Sequence, residues 1–147
     1  MSVQEVPADW RGQGTVLVVD DDTRVATVIS KMLALIGFEH VVVHDGLQAI
    51  ELFRDRCSEL TAVILDLTMP GMSGEEVLGE LNGIEPSVPV ILTSGYSKPD
   101  DHGGLHAGFL QKPTRLADIR ECMRTVLDRQ QRGPAARASS AGQQREQ

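Results

Sequence analysis

The chain alternates short apolar runs with longer segments in which apolar residues recur every three or four positions. Five runs have the composition of buried strands: residues 15–19, 38–43, 62–65, 88–92 and 108–111. Continuous β-branched and aliphatic runs of this length are typical of strands that helices cover on both faces. The alternation of strand and helix therefore predicts an α/β fold, a five-stranded doubly wound parallel sheet with right-handed crossovers.

Polar residues mark the ends of the predicted helices. Asp22 or Thr23 can cap the first helix, and Gly37 is placed to end it. Ser73 followed three residues later by Glu76 has the pattern of a capping box for the third helix.

The second and last helices have clear sequence signals, whereas the fourth does not. The second spans residues 46 to about 56, with Leu47, Ile50 and Phe53 directed inward. Thr114 is expected to cap the last helix. The helix expected within residues 97–107 contains a proline and two glycines, so it is predicted to be short or irregular.

Chemically active side chains follow four of the five predicted strands. They are Asp20, Asp21 and Asp22 after the first strand, Asp66 after the third, Ser94 after the fourth and Lys112 after the fifth. The carboxyl ends of parallel strands share one edge of the sheet, where ligands bind in such folds. We therefore expect these groups to converge there.

The expected cluster of carboxylates indicates a cation site. Neighbouring carboxylates repel one another unless a cation balances them, and hard oxygen ligands suit Mg²⁺. A lysine and a hydroxyl beside that cation would complete a site for phosphoryl oxygens. Asp66 is then the expected nucleophile, since a carboxylate can attack phosphorus directly. No glycine-rich nucleotide-binding motif is present, so the phosphoryl donor is expected to be something other than a nucleotide held by this chain.

Composition restricts the classes of function and the domain plan. The 147 residues fit one domain, predicted at residues 14–129 between a flexible leader (1–13) and a disordered polar tail (130–147). A net charge of −7 disfavours direct nucleic-acid binding. No apolar stretch is long enough for a membrane span, and Cys57 and Cys122 are expected to be reduced thiols, so the predicted location is cytoplasmic.

Four motifs resemble the receiver domain of two-component response regulators, most closely the receivers of hybrid histidine kinases. They are residues 18–22 (VVDDD), 66–74 (DLTMPGMSG), 93–96 (TSGY) and 112–113 (KP), in the family's order. The resemblance covers about residues 14 to 129 and implies a flavodoxin-like fold. It also implies a partner, a histidine kinase or a histidine phosphotransfer protein; a homodimer and the downstream protein partner are left open.

The resemblance assigns roles around the metal ion. Asp66 matches the phosphoacceptor. Asp21 and Asp66 would bind Mg²⁺ with their carboxylates, Thr68 with its main-chain carbonyl, and Asp20 through water.

A second group of residues matches the family's switch. Ser94 matches the residue that moves towards the phosphoryl group, Lys112 its charge partner, and Phe109 the aromatic switch residue. The family also implies a cis bond between Lys112 and Pro113. Thr114 departs from the phenylalanine that the family usually has there.

The resemblance implies a phosphoacceptor of a two-component phosphorelay that signals by conformational change. It would not be an enzyme beyond self-catalysed phosphoryl transfer and slow autodephosphorylation. Two alternatives are a small haloacid-dehalogenase-like Mg²⁺-dependent phosphatase and an interaction module that has lost phosphorylation. The phosphatase class expects an acid two residues after the nucleophile, where this chain has Thr68.

Overall fold

The computed structural model describes residues 7, 9–95 and 105–145, the last fifteen of these as backbone. In chain order the elements are β1 (Thr15–Val19), α1 (Thr23–Ile36), β2 (Glu39–Val43), α2 (Gly46–Arg56), β3 (Leu60–Asp66), α3 (Gly74–Ile84), β4 (Val90–Ser94), β5 (Gly108–Gln111) and α4 (Leu116–Arg145). A 3-10 turn, Cys57–Glu59, joins α2 to β3.

The five strands form one parallel sheet in the order β2-β1-β3-β4-β5, which confirms the predicted fold class. Three strands differ in extent from the prediction. β2 begins one residue later, at Glu39, and β3 is longer at both ends, from Leu60 to Asp66. β4 begins after Pro89 and continues to Ser94. Proline has no N–H to donate to a sheet, which accounts for the later start of β4. The helix predicted within residues 97–107 lies mostly outside the described residues.

Side chains alternate between the two faces of the sheet, and each face packs against one pair of helices. α2 and α3 cover the face that carries Leu17, Leu65 and Leu92. α1 and α4 cover the opposite face, which carries Val18, Ile64, Ile91 and Leu110. Because both faces are covered, the central segments of β1, β3 and β4 are aliphatic and buried, as the sequence pattern predicted.

The inward direction predicted for Leu47 is wrong, since this residue is 64% exposed. The buried stripe of α2 consists of Gly46, Ala49, Ile50 and Phe53, as predicted for the last two. Leu47 lies about 100° around the helix from Gly46, beyond the edge of that stripe.

Three of the four predicted helix signals are confirmed. Asp22 Oδ1 accepts hydrogen bonds from the amides of Arg24 and Val25, and Gly37 ends α1 with φ of 121°. Ser73 and Glu76 form the predicted capping box.

Thr114 does not cap the last helix, contrary to the prediction. Its buried hydroxyl has no hydrogen-bond partner among the residues that the structure describes. The helix begins at Leu116, so Arg115 holds the position before it and Thr114 is one residue too early to reach the free amides.

The structure describes part of each end of the chain. Trp10 packs against Phe38 with ring centroids 6.2 Å apart, and the amide of Gly12 donates to the Ile36 carbonyl at 3.0 Å. At the other end the backbone of α4 continues to Arg145. The domain boundaries at residues 13/14 and 129/130 stay predictions. None of the described helices is long and apolar enough to cross a membrane.

Gly74 allows the start of α3 to lie directly against the loop that follows Asp66. A Cβ atom at this position would lie 2.6 Å from Leu67 Cα and 2.7 Å from the Asp66 carbonyl oxygen. Both contacts are with backbone, so neither neighbour can rotate away. The absence of a side chain at Gly74 therefore determines how closely the helix approaches the end of β3.

We predict that Gly74→Ala lowers the free energy of unfolding by about 2 kcal/mol, because the new methyl group must displace the backbone of β3. Gly79→Ala is the matched control in the same helix, since a Cβ there meets nothing within 4 Å. That change should raise stability by about 1 kcal/mol through helix propensity. Urea unfolding of both variants measures the difference; equal effects would contradict the close approach at Gly74.

Candidate functional site

Three carboxylates converge at the carboxyl edge of the sheet. Asp20 directly follows β1, Asp66 is the last residue of β3, and Asp21 lies beside Asp20 on the loop to α1. One oxygen from each lies within 4.8 Å of the others. Asp20 and Asp66 are buried, with 1% and 2% of their surface exposed, whereas Asp21 is open to solvent.

Lys112 joins the two buried carboxylates. Its Nζ lies 3.1 Å from Asp20 Oδ2 and 3.2 Å from Asp66 Oδ1. Its amide donates to the Ser94 carbonyl at 2.8 Å, which attaches the residue to the end of β4. The bond between Lys112 and Pro113 is cis, as the resemblance implied.

The electrostatics of the cluster reflect its burial. Burial raises the pKa of Asp20; the hydrogen bond from the Asp22 amide opposes this shift, and the charge of Asp66 adds to it. Burial works to lower the pKa of Lys112, but its hydrogen bond to Asp20 and the charges of both aspartates outweigh burial and raise it. Three carboxylates face one ammonium, so the cluster has an excess of negative charge.

This donor set fits a divalent cation that prefers oxygen ligands. Asp20, Asp21 and Asp66 offer carboxylate oxygens close together, and the exposure of Asp21 leaves the cluster open to water. Mg²⁺ usually binds one or two protein carboxylates and keeps several waters. The cluster therefore has the chemistry of a Mg²⁺ site.

Thr68 holds the carboxylate of Asp66 in one orientation. Its amide and its hydroxyl both donate to Asp66 Oδ1 at 3.2 Å. Lys112 contacts the same oxygen. Within the part of the chain that the structure describes, the polar contacts of this carboxylate thus converge on Oδ1, and Oδ2 is the oxygen left for a ligand or for nucleophilic attack.

Ser94 and Phe109 lie on the other side of the sheet from these groups. Leu92 pairs with Phe109 in the register of β4 and β5, and Ser94 pairs with Gln111 two residues further along. Phe109 is half-buried against the core between the sheet and α2 and α3. Ser94 is buried at the end of β4, one residue after Thr93, which pairs with Asp66. The switch roles of Ser94 and Phe109 stay predictions.

Sequence reasoning missed two contributors to this edge. His44 is exposed at the end of the edge strand β2, and its Nδ1 lies 3.0 Å from the Asp20 carbonyl oxygen, a contact that was not predicted from the sequence. The contact could have been inferred from strand order, because Val43 pairs with Val19 and the residues that follow them, His44 and Asp20, are therefore neighbours. Gly74 was noticed within a motif, but its close approach to Asp66 depends on tertiary packing that the local sequence does not encode.

Comparison with known proteins agrees with this geometry. Residues 16–124 match the response regulator receiver domain family. The transcriptional regulatory protein PrrA of Mycobacterium tuberculosis is 36% identical over 129 residues, which cover 85% of this chain and 54% of PrrA. The sensor kinase CckA of Brucella abortus is 30% identical over 130 residues, or 86% of this chain and 14% of the kinase. The chain thus spans about half the length of PrrA.

A solved structure provides a third comparison. The response regulator TrrA of Thermotoga maritima, determined in complex with Mg²⁺ and BeF, is 27% identical and superposes with a TM-score of 0.70. The match covers 77% of this chain and 98% of TrrA.

The phosphatase alternative is not supported. The position two residues after Asp66 is Thr68, whose hydroxyl donates to Asp66 and which therefore does not supply a second acid. The family match covers three quarters of the chain, from β1 into α4, and includes every strand of the sheet. This chain belongs to the receiver domain family of two-component response regulators.

Proposed function

We propose that Asp66 accepts a phosphoryl group from a phosphohistidine on a histidine kinase or phosphotransfer protein. The observation that carries this proposal is the state of the Asp66 carboxylate, which is buried, held through Oδ1 by Thr68 and placed against Lys112. Asp66 Oδ2 attacks phosphorus, a P–O bond forms, and the P–N bond of the donor breaks. The electron pair of that bond stays on the imidazole nitrogen, which takes a proton from water.

Mg²⁺ would be held by the carboxylates of Asp21 and Asp66 and the main-chain carbonyl of Thr68, with Asp20 acting through water. The mutual proximity of the three carboxylates supports this assignment, as does the presence of Mg²⁺ in the TrrA complex. When bound, the cation supplies positive charge to the oxygens of the transferring group. Asp20 then has a second cationic neighbour besides Lys112.

Lys112 has the position to balance charge on the opposite side of the phosphoryl group. In the resting state its ammonium lies between Asp20 and Asp66, within reach of any anion bonded to Asp66. Ser94 would hydrogen-bond a phosphoryl oxygen, and Phe109, on the same face of the sheet, would turn inward as Ser94 moves. The chain would then lose the phosphoryl group slowly by hydrolysis, without turnover of a free substrate.

A groove beside the site suits a docking partner. It runs between α1 and the turn after β5, and its lining includes Val28, Ile29, Lys112 and Pro113. Val28 is an apolar residue that is 49% exposed and lies outside the buried stripe of α1. A helix that carries a phosphohistidine would cover Val28 while it presents the histidine to Asp66. We also propose a cytoplasmic location, in keeping with the two free thiols, Cys57 and Cys122.

We predict that Asp66→Asn abolishes phosphorylation. With Mg²⁺ and acetyl phosphate, the wild-type chain should gain one phosphoryl group by intact mass, and the variant none, because an amide is not a nucleophile towards phosphorus. Asp45→Asn, which changes a helix-capping carboxylate, serves as the control and should be labelled normally. Equal labelling of wild type and Asp66→Asn would refute the assignment.

Lys112→Met should destabilise the chain in the absence of Mg²⁺. Two buried carboxylates lose their cationic partner, so we expect the free energy of unfolding to fall by about 2 kcal/mol. The pKa of Lys112 is raised on folding, so its contribution is complete below its ordinary value of 10.5 and disappears as pH rises through the folded value.

Millimolar Mg²⁺ should recover part of this loss, because the cation replaces the missing positive charge. Lys31→Met, on the exposed surface of α1, is the control and should change stability little. Urea unfolding at pH 7, with and without Mg²⁺, measures both effects. A loss that Mg²⁺ leaves unchanged would contradict a shared charge balance.

Val28→Glu should slow transfer from a phosphorylated histidine kinase at least tenfold, since it places a charge where the docked partner would bury an apolar side chain. Labelling by acetyl phosphate should be unchanged, because that donor needs no docking surface. Leu47→Glu is the matched control, a 64% exposed leucine on α2, away from the groove. Equal kinase rates for the two variants would exclude the groove as the docking surface.

A further inference from the structure

Thr93 carries a buried hydroxyl without a partner in the resting structure. The residue is 1% exposed, and its Oγ1 makes no hydrogen bond to any described residue. An unsatisfied buried hydroxyl is a net cost to folding, and valine, which has the same shape, would avoid it. A hydroxyl retained in such a position is explained if it gains a partner in another state of the protein.

Strand register places Thr93 in the same row as the two buried aspartates. Val19 of β1 pairs with Leu65 of β3, so the residues that follow them, Asp20 and Asp66, are neighbours. Asp66 pairs in turn with Thr93 of β4. Paired residues of a parallel sheet direct their side chains to the same face, so Thr93 extends the row of polar groups at this edge.

The path of Lys112 passes over Thr93. Thr93 also pairs with Leu110 of β5, and Lys112 lies two residues after Leu110, on the same face. The strand order places β4 between β5 and β3. To reach Asp66 on β3 and Asp20 after β1, the side chain of Lys112 must therefore extend across β4, where Thr93 is the residue of this row.

Phosphorylation would change the hydrogen bonds available to Lys112. An ammonium has three donors, and two are directed at Asp20 Oδ2 and Asp66 Oδ1 in the resting state. Once the Asp66 carboxylate is phosphorylated, and with a cation bound beside Asp20, both carboxylates would be weaker acceptors. The phosphoryl oxygens would replace the lost acceptor on the side of Asp66, and the Thr93 hydroxyl offers a neutral acceptor near the path of the lysine stem for a further donor.

We propose that Thr93 is a positioning residue whose hydroxyl accepts a hydrogen bond from the Lys112 ammonium when Lys112 turns to the phosphoryl group. The contact would fix the direction of the ammonium, and the Thr93 hydroxyl would then be satisfied. This inference rests on the proposed function of Asp66 and adds a residue that acts through Lys112, with no direct contact to phosphorus.

Thr93→Val tests the proposal, with beryllofluoride as a stand-in for the phosphoryl group on Asp66. At saturating Mg²⁺, calorimetric titration should show about tenfold weaker beryllofluoride binding to the variant, a factor that corresponds to about 1.4 kcal/mol. The affinity for Mg²⁺ alone should be unchanged, because the hydroxyl is not a ligand. The melting temperature of the unliganded variant should rise, since an unpaired hydroxyl is removed.

Two further variants separate this role from packing. Thr93→Ser keeps the hydroxyl that would accept the hydrogen bond from Lys112, so it should bind beryllofluoride within about twofold of wild type, or about 0.4 kcal/mol. Ser30→Ala removes another buried, unpartnered hydroxyl, on α1, and should leave beryllofluoride affinity unchanged. If Thr93→Val cannot be purified folded, Thr93→Ala replaces it, with the same expected loss of affinity.

The results distinguish this inference from the proposed function. If wild type binds beryllofluoride and Thr93→Val binds it equally well, the role of Thr93 is refuted and that of Asp66 stands. If Thr93→Ser loses as much affinity as Thr93→Val, packing rather than the hydroxyl is responsible, and the inference also fails. If wild type itself binds no beryllofluoride, the proposed function of Asp66 is refuted first.

Discussion

The ammonium of Lys112 between Asp20 and Asp66 is the interaction on which this edge of the molecule depends. Two buried carboxylates next to each other are unfavourable in the low dielectric of a protein interior, and the lysine offsets their repulsion. It compensates them incompletely, because Asp21 adds a third negative charge within 4.8 Å. The cluster therefore keeps an uncompensated negative charge even with Lys112 in place. This excess charge is the physical basis for cation binding and for the chemistry proposed for Asp66.

The packing beneath the site keeps these groups in place. Asp66 follows four buried aliphatic residues of β3 (62–65) that helices cover on both faces, so the backbone there has little freedom. Gly74 lets the start of α3 pack directly against the backbone of Asp66 and Leu67. The amide and hydroxyl of Thr68 donate hydrogen bonds that hold the Asp66 carboxylate. Lys112 arrives from β5, two strands away, and its amide is attached to Ser94. Three separate stretches of chain therefore determine the position of one carboxylate.

Much of this arrangement could be predicted from the sequence because its signals are local. Aliphatic runs locate the strands, Asp22 and the pair Ser73 and Glu76 cap helices, and the order of the strand ends brings Asp20, Asp66 and Lys112 to one edge. The errors concern properties that local sequence does not contain. Whether Leu47 faces inward depends on the position of the neighbouring helix, and Thr114 misses its cap by a single residue. The place of Thr93 beside Asp66 depends on the register of β4 against its two neighbours, which the local sequence does not contain.

The docking of Trp10 on Phe38 has a practical consequence for spectroscopy. Trp10 is the single tryptophan of the chain, and it packs near the start of β2, at the amino end of the sheet. The carboxylate cluster lies at the carboxyl end of the same strands. Indole emission from this protein will therefore follow the melting of the domain or the release of its first residues. Because Asp66 lies at the other end of the sheet, we expect changes at Asp66 to leave the emission of Trp10 unchanged. A kinetic study of the site therefore needs a fluorophore introduced near the carboxyl ends of the strands.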